Sequence, residues 1–107
     1  MKPINLTAQQ VYSLRQENQP VVSLKRTARM GALGIGDHLW VREPIYERRG
    51  LVAYESDHSY AEPQVGWRIS NVERMTASKM PQLFCRMELK VAALTKTTVA
   101  FEVLRRA

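Results

Sequence analysis

A chain of 107 residues with 45% apolar content suffices for one hydrophobic core and is too short for two ordinary domains. Sixteen Lys and Arg against ten Asp and Glu leave a net charge of +6, which points toward an anionic partner. A lone cysteine excludes an internal disulfide, and the short apolar runs exclude a membrane-spanning helix. Met1 to Pro20 has no apolar h-region, so a single domain over residues 1–107 in a reducing, cytoplasmic setting is expected, with no membrane partner.

The first element announces itself by its cap. Thr7-Ala8-Gln9-Gln10 has capping-box spacing, so a helix is predicted over Ala8 to Glu17, with Val11, Leu14 and Tyr12 turned inward and Leu6 stapled onto Val11. Asn18-Gln19-Pro20 ends it, because proline cannot continue a helix. Val21 to Arg26 reads as a strand, with Val22 and Leu24 on one face and Ser23 and Lys25 on the other. Thr27 to Gly36, with three glycines, reads as a connection.

Asp37 to Glu43 is the next predicted strand. Leu39 and Val41 share one face; His38, Trp40 and Arg42 share the other, and Pro44 ends or bends it. A basic turn at Arg48-Arg49-Gly50 leads to a short strand, Leu51 to Glu55, and then to polar, irregular chain from Ser56 to Gln64. Val65 to Ile69, around Trp67, reads as extended, and Asn71 to Lys79 fits a short helix or a loop. The clearest pattern is the period-two alternation of Leu83, Cys85, Met87, Leu89 and Val91, a half-buried strand. Thr97 to Arg105 repeats it with Val99, Phe101 and Val103 inward, so the two form a hairpin turning at Leu94 to Lys96. The sum is a mainly β (α+β) domain: a small, mostly antiparallel barrel with one or two short helices.

Chemistry-bearing residues are sparse. His38 and His58 are far apart in the chain and have no cysteine pair, so neither a metal site nor a cofactor is expected. Cys85, on the apolar face of its strand, reads as core. Gly31, Gly34 and Gly36 match no phosphate-loop or dinucleotide spacing. Trp40 reads two ways: as a stacking platform for a base, with Arg42 on phosphate, or as a core residue with Arg42 and Glu43 as an edge pair. Lys25, Arg26 and Arg29 form a basic run suited to phosphate or to solvent. Arg86, Glu88 and Lys90 share one strand face and read best as a cross-strand ion-pair ladder.

Several stretches resemble phage-encoded ASCH-type proteins, a branch of the PUA-like barrel superfamily. They are "GDHLWVRE" at Gly36 to Glu43, "GWR" at Gly66 to Arg68, "MPQLFCRMELKV" at Met80 to Val91 and "LTAQQVYSL" near the start. The resemblance implies a PUA-like β-barrel of phage or prophage origin with a nucleic-acid-related role, RNA favoured over DNA. It also brings a departure. Some relatives are amidohydrolases acting on acetylated cytidine, using a lysine and a threonine from a Lys-Thr-x-Thr-Arg-Arg run and a glutamate from a late strand. Here that run reads "PVVSLKR", with Pro20 near the lysine, Val21 near the first threonine and Ser23 near the second, and Lys90 falls near the glutamate position. The expectation is therefore binding without catalysis, through Lys25, Arg26, Arg29, Trp40, Arg42, Arg48, Arg49, Trp67, Arg68 and Arg86. Two alternatives stand beside it. One is a nucleoside amidohydrolase with Lys25, Ser23 and Glu88 in a rearranged site. The other is a phage accessory protein that binds a host protein. Self-pairing into a homodimer through a barrel edge is open as well.

Overall fold

The computed structural model describes residues 1–16, 19–48, 51–57 and 73–105, those at 48, 51 and 73 by backbone alone. Eight strands and one α-helix are present among them, so the domain is mainly β with α+β character, as the alternation predicts. Among the described residues the strands do not close into one barrel. They form two sheets, one of five strands and one of three.

The five-stranded sheet has the order β1-β3-β7-β8-β2. Here β1 is Lys2–Asn5, β2 Val21–Lys25, β3 His38–Arg42, β7 Glu88–Leu94 and β8 Thr98–Arg105. All its pairings are antiparallel except β1 with β3, which is parallel with Lys2 opposite Leu39. β1 was not legible in the sequence. It has four residues, one of them Pro3, which is compatible with its place at the sheet edge, where ladder hydrogen bonds are needed on one side only.

The helix α1, Ala8–Gln16, starts as its cap predicts. The Thr7 backbone N–H donates to Gln10 Oε1 at 2.8 Å, and the Gln10 N–H donates to Thr7 Oγ1 at 3.1 Å, satisfying two of the N–H groups left over at a helix start. Val11 and Leu14 are buried, but Tyr12 faces out at 41% exposure. Leu6, Val11 and Leu14 join Ile4, Val22, Met30, Leu39, Val41, Met87, Leu89, Val91, Val99 and Phe101 in one core, so the helix covers the inner face of the large sheet. Met30 reaches that core from a 3-10 turn, Ala28–Met30, inside the stretch read as a plain connection.

The long strand predicted from Leu83 begins five residues late. Gln82–Phe84 is a 3-10 turn closed by Phe84 N–H to Pro81 O and Cys85 N–H to Gln82 O, and Leu83 is 81% exposed. Period two alone could not see that Pro81 starts a turn rather than a strand. From Met87 onward the alternation holds, and the strand runs on to Leu94. A register shift between Val91 and Ala93 lets Leu94 return to the core, as a bulge does. Cys85 lies before the strand and is half-buried rather than core; its thiol donates to Met87 O at 3.3 Å. The β7–β8 hairpin forms as predicted, with Val99 and Phe101 buried and Val103 packed against the core.

The small sheet has the order β5-β4-β6, with β4 Ile45–Arg48, β5 Leu51–Tyr54 and β6 Glu73–Met75. β5 matches expectation. β4 was hidden behind Pro44, and β6 lies in the stretch left between helix and loop, followed by a 3-10 turn at Ala77–Lys79. The extended segment expected at Val65 to Ile69 lies outside the described residues, as do His58, Arg49, Trp67 and Arg68.

Candidate functional site

The strand ending in "GDHLWVRE" is built by its turn. Gly36 has φ of +89°, open to glycine and strained for other residues. The Asp37 carboxylate accepts the Gly34 N–H at 2.8 Å and pairs with Lys2 at 2.7 Å. The Lys2 hydrogen bond and the Gly34 N–H hold the Asp37 carboxyl below its ordinary range. Trp40 is 8% exposed, although it points opposite to Leu39 and Val41, so the middle of β3 is buried on both faces. The Arg42 guanidinium lies 5.8 Å from its ring centre, a cation–π contact. Trp40 is thus a structural residue rather than an open base platform.

Arg42 and Glu43 do not form the expected edge pair. Arg42 Nε donates to Asn5 Oδ1 at 2.7 Å and its Nη1 to Ser78 O at 3.2 Å. Glu43 is fully buried and belongs to a separate cluster. Arg86 Nη2 donates to Glu43 Oε1 at 3.3 Å, to Ser56 Oγ at 3.0 Å and to Asp57 Oδ1 at 2.8 Å. Ser56 Oγ donates in turn to Glu43 Oε1 at 2.7 Å, Arg15 of α1 pairs with Asp57, and the Arg86 guanidinium stacks 3.7 Å from the Tyr54 ring centre. Burial pushes the Arg86 guanidinium down, but hydrogen bonds and charge from Asp57 and Glu43 outweigh this and raise it above its ordinary value. Burial likewise pushes Asp57 up, and Arg86 and Arg15 reverse the shift and lower it. Arg86 is therefore held as a structural cation by two carboxylates.

Nor is the expected ladder complete. Glu88 pairs with Arg105 at 3.0 Å and stands 3.8 Å from His38, whereas Arg86 has left for the Glu43 cluster and Lys90 is exposed opposite His38 and Glu102. The rearranged hydrolase set is not assembled. Ser23 lies opposite Ala100 and Lys25 opposite Thr98, while Glu88 lies opposite Arg105. Five residues of β8 between the Ser23 and Glu88 rows amount to about 17 Å. That distance is too great for one reacting centre.

What the fold does bring together is a basic corner. The Arg26 N–H donates to Thr97 O at 2.8 Å and its Nη1 to Thr95 O at 3.2 Å, so Arg26 is bound to the tip of the β7–β8 hairpin. Lys25 lies opposite Thr98, and Lys96 forms part of the tip itself. Lys25 and Lys96 are exposed, and among the described residues no carboxylate pairs with any of the three cations. Lys96 was missed, although the short polar turn between two alternating strands was the signal for it.

Arg29 goes elsewhere. It is exposed and lines a cleft of about 300 Å³ with Asn5, Leu6, Thr76, Ala77 and Ser78. Arg48 ends β4 and is placed by its backbone alone. Among the described residues, no group of three His, Cys, Asp or Glu is placed to hold a metal, and no helix is long and apolar enough to cross a membrane. No family model matches the chain, and no curated protein or solved structure matches it either, so the ASCH-type resemblance rests on the residues quoted for it.

Proposed function

We propose that this protein is a PUA-like domain of phage or prophage origin that binds nucleic acid in the cytoplasm without catalysis, RNA in preference to DNA. The observation that carries the reading is the hairpin corner: Lys25, Arg26 and Lys96 converge on one tip with no carboxylate among them. Three adjacent cations without counter-ions among the described residues are suited to neutralising successive phosphates. Threonine hydroxyls at Thr95, Thr97 and Thr98 supply further polar groups at the same tip. The preference for RNA comes from the ASCH-type resemblance. Trp40 is buried, so at the hairpin corner affinity comes from phosphate contacts, which carry little sequence information.

Charge reversal at the exposed pair tests this. The doubly substituted Lys25→Glu/Lys96→Glu protein is expected to fold as the wild type does and to lose single-stranded RNA binding. For the wild type, three neutralised phosphates give a slope of about −2 in log K against log salt, since each contributes about −0.7 on a single strand. Unchanged affinity after the double reversal would remove the corner as the binding surface.

A further inference from the structure

The cleft that takes Arg29 is separate in composition from the hairpin corner, and its chemistry is one-sided. Arg29 is the charged residue in its lining, with Asn5, Thr76 and Ser78 as the polar groups and Leu6 and Ala77 as the apolar ones. Among the described residues no carboxylate lines it. Arg42, behind the lining, fixes the sense of the amide: Asn5 Oδ1 is taken by Arg42 Nε at 2.7 Å, which leaves the Asn5 NH₂ as the free donor. The same guanidinium holds Ser78 O at 3.2 Å, so both β1 and the turn at Ala77–Lys79 are tied to β3. Thr76 Oγ1 and Ser78 Oγ lie 3.2 Å apart and share one hydrogen bond, so one hydroxyl proton of the pair is still available to a ligand.

We infer that this cleft is a binding site for a phosphate monoester no larger than a mononucleotide. A guanidinium, an amide NH₂ and a hydroxyl offer donors to the three terminal oxygens of such a group, and a guanidinium can take two of them at once. The volume stands at the low end for small-molecule sites, which admits one nucleotide. Ala77 gives the sugar or base an apolar contact, while Leu6, buried in the core, adds little open surface. The site needs neither the hairpin corner nor a polymer, and it stands or falls independently of RNA binding.

Isothermal titration with 5′-AMP, adenosine and inorganic phosphate tests it, on the wild type, Arg29→Gln, Ser78→Ala and Lys25→Glu/Lys96→Glu. AMP is expected to bind at least about tenfold more tightly than adenosine, as one charge-assisted hydrogen bond to phosphate would give. Inorganic phosphate should compete with it. Arg29→Gln should abolish the AMP preference, Ser78→Ala should reduce it, and the corner reversal should leave it intact. Arg29 and Ser78 are both exposed, so the variants are expected to keep the wild-type circular dichroism spectrum. Equal binding of AMP and adenosine, or AMP affinity unchanged by Arg29→Gln, would overturn the inference. Loss of AMP binding on corner reversal alone would move the anion site to the hairpin and also overturn it.

Discussion

A carboxylate with no solvent exposure, such as that of Glu43, is tolerated only where its charge is matched and its lone pairs are filled. Arg86 and Ser56 do both, and among the described residues no buried side-chain polar atom lacks a partner. Replacing Arg86 by Met would keep much of the side chain's bulk and leave Glu43 uncompensated. The expected loss is about 3–5 kcal/mol of unfolding free energy, the usual cost of breaking a buried pair from one side. Adding Glu43→Gln to Arg86→Met should recover part of that loss, because the stranded charge is gone. Urea unfolding of the two single variants and the double variant measures the coupling. A double variant with the summed loss of both singles would show that the two side chains do not act as a pair. Nothing in the sequence distinguished Arg86 from the surface arginines. It occupies a polar position on an apparently regular strand, and its partners lie 43 and 29 residues away.

At the scale of elements, legibility followed the range of the interactions. The start of α1 was legible because its cap closes within four residues, and the β7–β8 hairpin because alternation and a short polar turn are local signals. β1 and β4 were not. Each has four residues, and each is made a strand by a partner far along the chain or by a neighbour beyond Pro44. The failure at Leu83 has the same origin. A five-residue alternation looks alike in a strand and in a turn that merely precedes one, and only the hydrogen bonds to Pro81 and Gln82 separate them. The candidate site followed this rule too. Lys25 and Arg26 were found from their run, whereas the separation of Arg29 into the cleft and the arrival of Lys96 beside Lys25 depend on tertiary pairing. Removing the cap tests the local part. Thr7→Ala should cost about 1 kcal/mol, the usual loss for a helix N-cap, read as a lower urea midpoint at unchanged slope. Because the helix packs Val11 and Leu14 into the core, the loss should appear in the single global transition rather than as fraying of α1 alone.

Across the described residues, the charges fall into two sets. The carboxylates of Glu43, Asp57, Glu55 and Glu88 are each matched by an arginine, while Lys25, Arg26 and Lys96 at the hairpin tip have no such match among the described residues. Asp57 has its carboxyl lowered in the folded protein by Arg86 and Arg15 against the opposing effect of burial. A carboxyl with a depressed folded value contributes stability that is fully present above its unfolded value, about 4, and is lost as pH falls through the folded one. Among the described residues no carboxylate pairs with the hairpin corner, so the acid-dependent loss carried by Asp57 belongs to the Arg86 cluster and not to the corner. Stability and binding should therefore separate. Single-stranded RNA affinity at fixed ionic strength should be flat from pH 8 to about pH 5, and the melting temperature should begin its Asp57-dependent fall only below about pH 4. Asp57→Asn removes the titrating group, so its melting temperature should start lower at neutral pH and decline less steeply on acidification. An Asp57→Asn protein that parallels the wild type down to pH 3 would show that Asp57 does not carry the acid sensitivity.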